Sequence, residues 1–156
     1  MSKSQDYFNF LNSLENDPNF CYNYLEKNSF NKKHPTYEQC LKTISKDAKV
    51  SLRAAEKILK GRFELAEPTI SNDAHSAYWY AKDVIKGKWE AGEPAIARDS
   101  KYSFDYASNV LRGRFILGES AIAKDEHLSY KYATEIVMGK LPEEMHNVML
   151  ARKIAS

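Results

Sequence analysis

The sequence predicts an all-α fold: a short right-handed-type α-solenoid of helix–turn–helix repeats with capping helices at both ends. Three observations predict it. Gly61, Gly87, Gly113 and Gly139 follow one another at intervals of 26 residues. The residues around them match in kind, so that "ILKGRFELAEPTISND" (58–73), "VIKGKWEAGEPAIARD" (84–99) and "VLRGRFILGESAIAKD" (110–125) are one pattern written three times. Between the glycines, apolar residues recur at helical rather than strand spacing, and a fixed period of this length marks a repeat array.

The chain is expected to form a single domain over 1–156, in three parts. Residues 1–34 form a polar, irregular N-terminal cap with a degenerate repeat, in which "NDPNFCYNYLEK" (16–27) resembles "NDAHSAYWYAKD" (72–83). Asp17 followed by Pro18 fits an N-cap and first-turn proline. Residues 35–138 hold four 26-residue repeats, the first with Pro35 in the glycine slot and Tyr37 in the aromatic slot of Phe63, Trp89 and Phe115. Residues 139–156, with "PEEMHNVMLARKIA" from Pro142, form the C-terminal capping helix.

Each repeat reads as two helices. The longer begins after Asp47, Asp73, Asp99 or Asp125, whose carboxylate can accept from free N–H groups of the first turn. It ends at the glycine, expected in the left-handed position after the helix, with Lys60, Lys86 and Arg112 in the last turn where a cation suits the dipole. Tyr78, Ala81, Val84 and Ile85, then Phe104, Ala107, Val110 and Leu111, then Tyr130, Ala133, Ile136 and Val137 mark its core face. The shorter helix starts at Pro68 or Pro94, each after a glutamate, and contributes Ile70 or Ile96. Aspartates and glutamates alike are expected to serve mainly as caps. A helix of about 12 residues is marginal alone, so stability is expected from stacking copy on copy.

Composition bounds the function. With 43% apolar and 28% charged residues the chain can bury a core, and 23 basic against 21 acidic residues give only +2, too little to require nucleic acid or an anionic membrane. No run approaches the roughly 20 apolar residues that span a bilayer. Two cysteines, Cys21 and Cys40, form neither a disulfide framework nor a zinc-type spacing, and with no apolar leader at the start they predict a cytoplasmic protein.

The pattern A-Y-x-Y-A, then V-I/L-x-G-R/K-F/W, then E-P-A-I-A-x-D, over roughly residues 35–141, resembles the uncharacterised 26-residue tandem helical-repeat proteins of tailed phages and large DNA viruses. The resemblance implies an α-repeat fold and a phage origin, hence the host cytoplasm. It carries over no catalytic residue.

No catalytic chemistry, cofactor or metal is expected. His75 and His127 share a slot with Lys49 and Lys101, expected to face water, and neither His34 nor His146 falls in a ligand spacing. The glycine turns lack any phosphate-loop signature. Cys21 shares its slot with Ala77 and Ser103 and reads as a small buried group. Two features point to a partner. Trp79 shares a slot with Arg53, Asp105 and Lys131, so it is expected to point outward as an anchor or to lie flat over its own repeat or the next. Cations crowd one surface: Arg53, Lys82, Lys86, Arg112 and Lys131 on the long helices, continued at the turns by Arg62, Lys88, Arg114 and Lys140. They either form a basic edge or pair with acids of neighbouring copies. The predicted interface is Arg53, Trp79, Lys82, Lys86, Lys88, Arg112, Arg114 and Lys131. The expected function is non-enzymatic capture or inhibition of another protein, a host factor if the chain is phage-encoded; the alternative is nucleic-acid binding along the basic edge.

Overall fold

A computed structural model of the protein describes residues 3–28, 34–137 and 147. The predicted C-terminal capping helix lies almost wholly outside these residues. Every described element is helical, and the chain divides into two compact units, Met1–Ile70 and Ser71–Ser156. No described helix is long and apolar enough to cross a membrane.

The first unit opens with α1 (Lys3–Asn16) and α2 (Pro18–Lys27), helices on both sides of Asp17, as expected of an N-terminal cap with a helix start at Asp17–Pro18. Next come α3 (Pro35–Ile44), α4 (Ala48–Ala54) and α5 (Glu67–Ile70), with α3 packed on both α1 and α2. In the glycine slot, Pro35 does not end a helix. It begins one, because proline has no N–H to lose in a first turn. The second unit contains α6 (Ala74–Trp79), α7 (Glu93–Ile96), α8 (Ser100–Tyr106), α9 (Glu119–Ile122) and α10 (Glu126–Lys131).

The aspartates cap as predicted. Oδ1 of Asp17, Asp47, Asp73, Asp99 and Asp125 accepts the N–H three residues on at 2.8–3.0 Å. Such a cap stabilises a helix start by about 1 kcal/mol. Ile44, Ile70, Ile96 and Ile122 are completely buried, as are Ala55, Ala81 and Ala107, whereas Val84, Ile85, Val110, Leu111, Ile136 and Val137, expected on the same core face, are only half-buried. Tyr78 and Phe104 are buried too, but Tyr130 in the same slot is 70% exposed. The first two rings meet the following copy, Tyr78 at Tyr102 (5.7 Å between centroids) and Phe104 under the Lys131 ammonium (5.3 Å).

The helix ends depart from expectation. Each long helix widens into a π turn, at Ala55–Leu59, Tyr80–Ile85, Ala107–Leu111 and Tyr132–Ile136. The left-handed residue after the first three is not glycine. It is Lys60 (φ 52°), Lys86 (φ 61°) or Arg112 (φ 51°), and no glycine of the described repeats has a left-handed φ. The wide turn moves the chain reversal one residue forward. The cation's N–H and the next glycine's N–H then converge on one alanine carbonyl, Ala55, Ala81 or Ala107, with the glycine at 3.0–3.1 Å.

Two other glycines are the sterically required ones. A Cβ on Gly92 would lie 2.5 Å from the Trp89 ring and 3.1 Å from Ala77 Cβ, and one on Gly118 would lie 2.5 Å from the Phe115 ring and 2.6 Å from Ser103 Oγ. At Gly61 and Gly87 the same atom would meet nothing within 4 Å.

Candidate functional site

The glutamate that opens each short helix, Glu67, Glu93 or Glu119, is paired with a cation of the turn before it. Glu119 is 1% exposed, and Arg114 holds it in a forked pair, Nε to Oε1 at 2.9 Å and Nη2 to Oε2 at 3.0 Å. Tyr132 donates its hydroxyl to Glu119 Oε1 at 2.9 Å and accepts the Phe115 N–H at 2.8 Å. The preceding copy repeats the wiring: Tyr106 donates to Glu93 Oε1 at 3.1 Å and accepts the Trp89 N–H at 2.9 Å, with Lys88 Nζ 4.0 Å from Glu93 and 3.0 Å from Glu90. Arg62 forks onto Glu67 at 2.9 Å in the same way.

In the copies of Glu93 and Glu119 a buried tyrosine hydroxyl therefore joins the turn to the long helix, while tyrosine rings join copy to copy. Tyr80 packs on Trp89 at 4.8 Å and Tyr106 on Phe115 at 5.0 Å. Burial raises the hydroxyls of Tyr106 and Tyr132 well above the ordinary tyrosine value, Glu93 and Glu119 adding to it. Glu119 in turn raises Arg114.

This wiring sorts the eight predicted interface residues. Lys88 and Arg114 are turned to glutamates of their own copies, so the turn cations do not form an unopposed basic row. Lys140, its fourth member, lies outside the described residues. Arg53 lies over the Tyr22 ring at 3.9 Å. Lys131 lies over Phe104 and 3.9 Å from Glu135. Trp79 is half-buried rather than fully exposed: Lys82 Nζ covers it at 4.4 Å, Tyr78 meets it edge-on at 5.1 Å, and His75 lies at 6.5 Å. It follows the other course the sequence allowed, lying over its own repeat. His75 is likewise half-buried, against Tyr102 at 5.7 Å, while His127 is exposed as expected.

Lys86 and Arg112 differ from the rest. Both are exposed, both have left-handed backbone, and no described residue forms an ion pair with either. Lys60 repeats the arrangement in the first unit. Four and five residues after Arg112, between α8 and α9, Ile116 and Leu117 are 65% and 54% exposed, which sequence reasoning missed. Their signal was present: Glu90 and Ala91 occupy the corresponding slots, so two apolar residues there serve no packing that every copy needs.

Among the described residues no group of three or more histidine, cysteine, aspartate or glutamate side chains is placed to hold a metal ion. No family model, curated protein or solved structure matches this chain.

Proposed function

We propose that the chain is a non-enzymatic helical-repeat binding protein whose copies stack as a short α-solenoid and capture another protein along the edge bearing Lys86 and Arg112. One observation carries the reading, the left-handed cations. A non-glycine residue in that conformation costs about 1–2 kcal/mol. The attraction of a cation to an exposed helix C-terminus returns only about 0.3–1 kcal/mol. Glycine would remove the strain, and the chain has a glycine one residue further on in each case. A long cationic side chain held there at net cost, exposed and in no ion pair with a described residue, fits contact with an acidic surface on a partner. Ile116 and Leu117 supply apolar contact next to it. The resemblance to phage repeat proteins extends the proposal to a host factor as target.

The test is affinity capture from the native cell, or an infected one, by the wild-type protein and by Lys86→Glu/Arg112→Glu. One partner in fixed ratio, lost or strongly reduced with the charge-reversed protein, supports the edge. Equal capture by both proteins removes it.

The same unpaired cations also suit nucleic acid. That alternative predicts retention of an oligonucleotide at low ionic strength with affinity falling steeply as salt rises. Absence of retention at low salt eliminates it.

A further inference from the structure

Cys21 on α2 and Cys40 on α3 are the only cysteines of the chain, and both are completely enclosed. α2 and α3 pack on each other, and the mutual influence of the two thiols lowers Cys21 and, together with burial, raises Cys40. Hydrogen bonds around them place Cys21 against the α3 face that carries Cys40. Cys21 Sγ lies 3.3 Å from the Leu14 carbonyl of α1, and that oxygen also accepts Thr43 Oγ1 at 2.6 Å. Thr43 is one turn beyond Cys40 and equally buried.

The repeat supplies a second line of argument. Cys21 shares its slot with Ala77 and Ser103, and Cys40 lies 26 residues before Ala66 in the slot of Gly92 and Gly118. These slots approach closely elsewhere: a Cβ on Gly92 would be 3.1 Å from Ala77 Cβ, and one on Gly118 would be 2.6 Å from Ser103 Oγ. A disulfide needs Cβ atoms about 3.5–4.5 Å apart. Where later copies bring glycine against alanine or serine, the first unit carries cysteine in both slots.

We propose that Cys21 and Cys40 are a reversible cross-link site that closes to an intramolecular disulfide with glutathione disulfide as oxidant. One cysteine releases its proton to solvent, and its thiolate attacks glutathione disulfide, expelling one glutathione thiolate. The second cysteine, also deprotonated, attacks the mixed disulfide at the protein sulfur and expels the other. Two S–H bonds are lost and one S–S bond forms; the oxidant is reduced to two glutathiones, whose thiolates take up the protons. Since both thiols are enclosed, the first attack requires α2 and α3 to part, so closure accelerates in mild denaturant. Once formed, the bond ties α2 to α3. The site is independent of the binding edge.

The test uses the full chain in glutathione buffers of fixed reduced-to-oxidised ratio, followed by acid quench, alkylation and intact mass. The expected product is a monomer lighter by two hydrogens, reversed by dithiothreitol. Its ratio to reduced protein rises about tenfold when total glutathione is diluted tenfold, because an intramolecular disulfide follows oxidised glutathione over the square of reduced. Cys40→Ala abolishes that product. A glutathione adduct whose yield ignores dilution, a disulfide-linked dimer, or two thiols still reduced after unfolding and refolding in the oxidising buffer would each overturn the assignment.

Discussion

Replacing Tyr132 by phenylalanine removes one oxygen and leaves the ring in place. That oxygen accepts the Phe115 N–H at 2.8 Å and donates to Glu119 at 2.9 Å, on a side chain with no exposed surface. Water cannot enter to replace it, so the stranded N–H costs about 1–3 kcal/mol. Glu119 keeps its forked Arg114 pair and loses one hydrogen bond to a charged group, about 1–2 kcal/mol more. The expected loss is about 3 kcal/mol, read as a lower urea midpoint at unchanged slope. Tyr106→Phe is the internal comparison. Glu93 is 15% exposed and lies 4.0 Å from a lysine rather than inside a guanidinium fork, so water can substitute in part and the loss falls to about 2 kcal/mol. A change below about 0.5 kcal/mol for Tyr132→Phe would refute the idea that the hydroxyl closes the copy.

Three further outcomes follow from particular atoms. Gly118→Ala drives a Cβ into the Phe115 ring and Ser103 and is expected to destabilise by about 1–2 kcal/mol, whereas Gly87→Ala, with open space and no left-handed φ, is expected to change stability by less than about 0.5 kcal/mol in thermal or urea unfolding. Lys86→Gly relieves the left-handed strain and should stabilise by about 0.5–1 kcal/mol while weakening partner capture, a combination that separates a binding role from a structural one. Folding holds Tyr106 and Tyr132 neutral above the ordinary tyrosine value of 10.0, so their contribution is complete below that pH and is lost as pH rises beyond it. Each adds a slope of about 1.4 kcal/mol per pH unit there, and urea titrations at alkaline pH should show one such slope missing in each phenylalanine variant.

The period made helices, caps and core slots legible because those depend on residue type at fixed spacing: aspartate three residues before a free N–H, isoleucine every 26 residues at a buried point. It misassigned the left-handed residue because a π turn leaves no mark in an apolar pattern, so the glycine was taken for the reversal when Lys86 or Arg112 makes it. The turn cations were legible as a group but not as paired or unpaired. That Arg114 faces Glu119 rather than water follows from the burial of that glutamate, which also accepts from a tyrosine hydroxyl 13 residues further on and which spacing does not reveal. Spacing alone also left Gly92 and Gly118 unremarked, since their need for glycine comes from rings of Trp89 and Phe115 that fold back over them. Cys21 reads as a small buried group from its slot, whereas its nearness to Cys40 required knowing that α2 and α3 pack on each other.

The central claim, that a buried tyrosine hydroxyl closes one copy after another, is tested most directly by native-state hydrogen exchange at the Trp89 and Phe115 amides. These two N–H groups bond only to Tyr106 and Tyr132 among the bonds that define the repeat. The account predicts that both exchange only through the opening that unfolds the second unit, with the same dependence on denaturant, and that Tyr132→Phe exposes the Phe115 amide selectively. Rapid exchange of either amide in the wild-type protein, at the rate of an open turn, would contradict it.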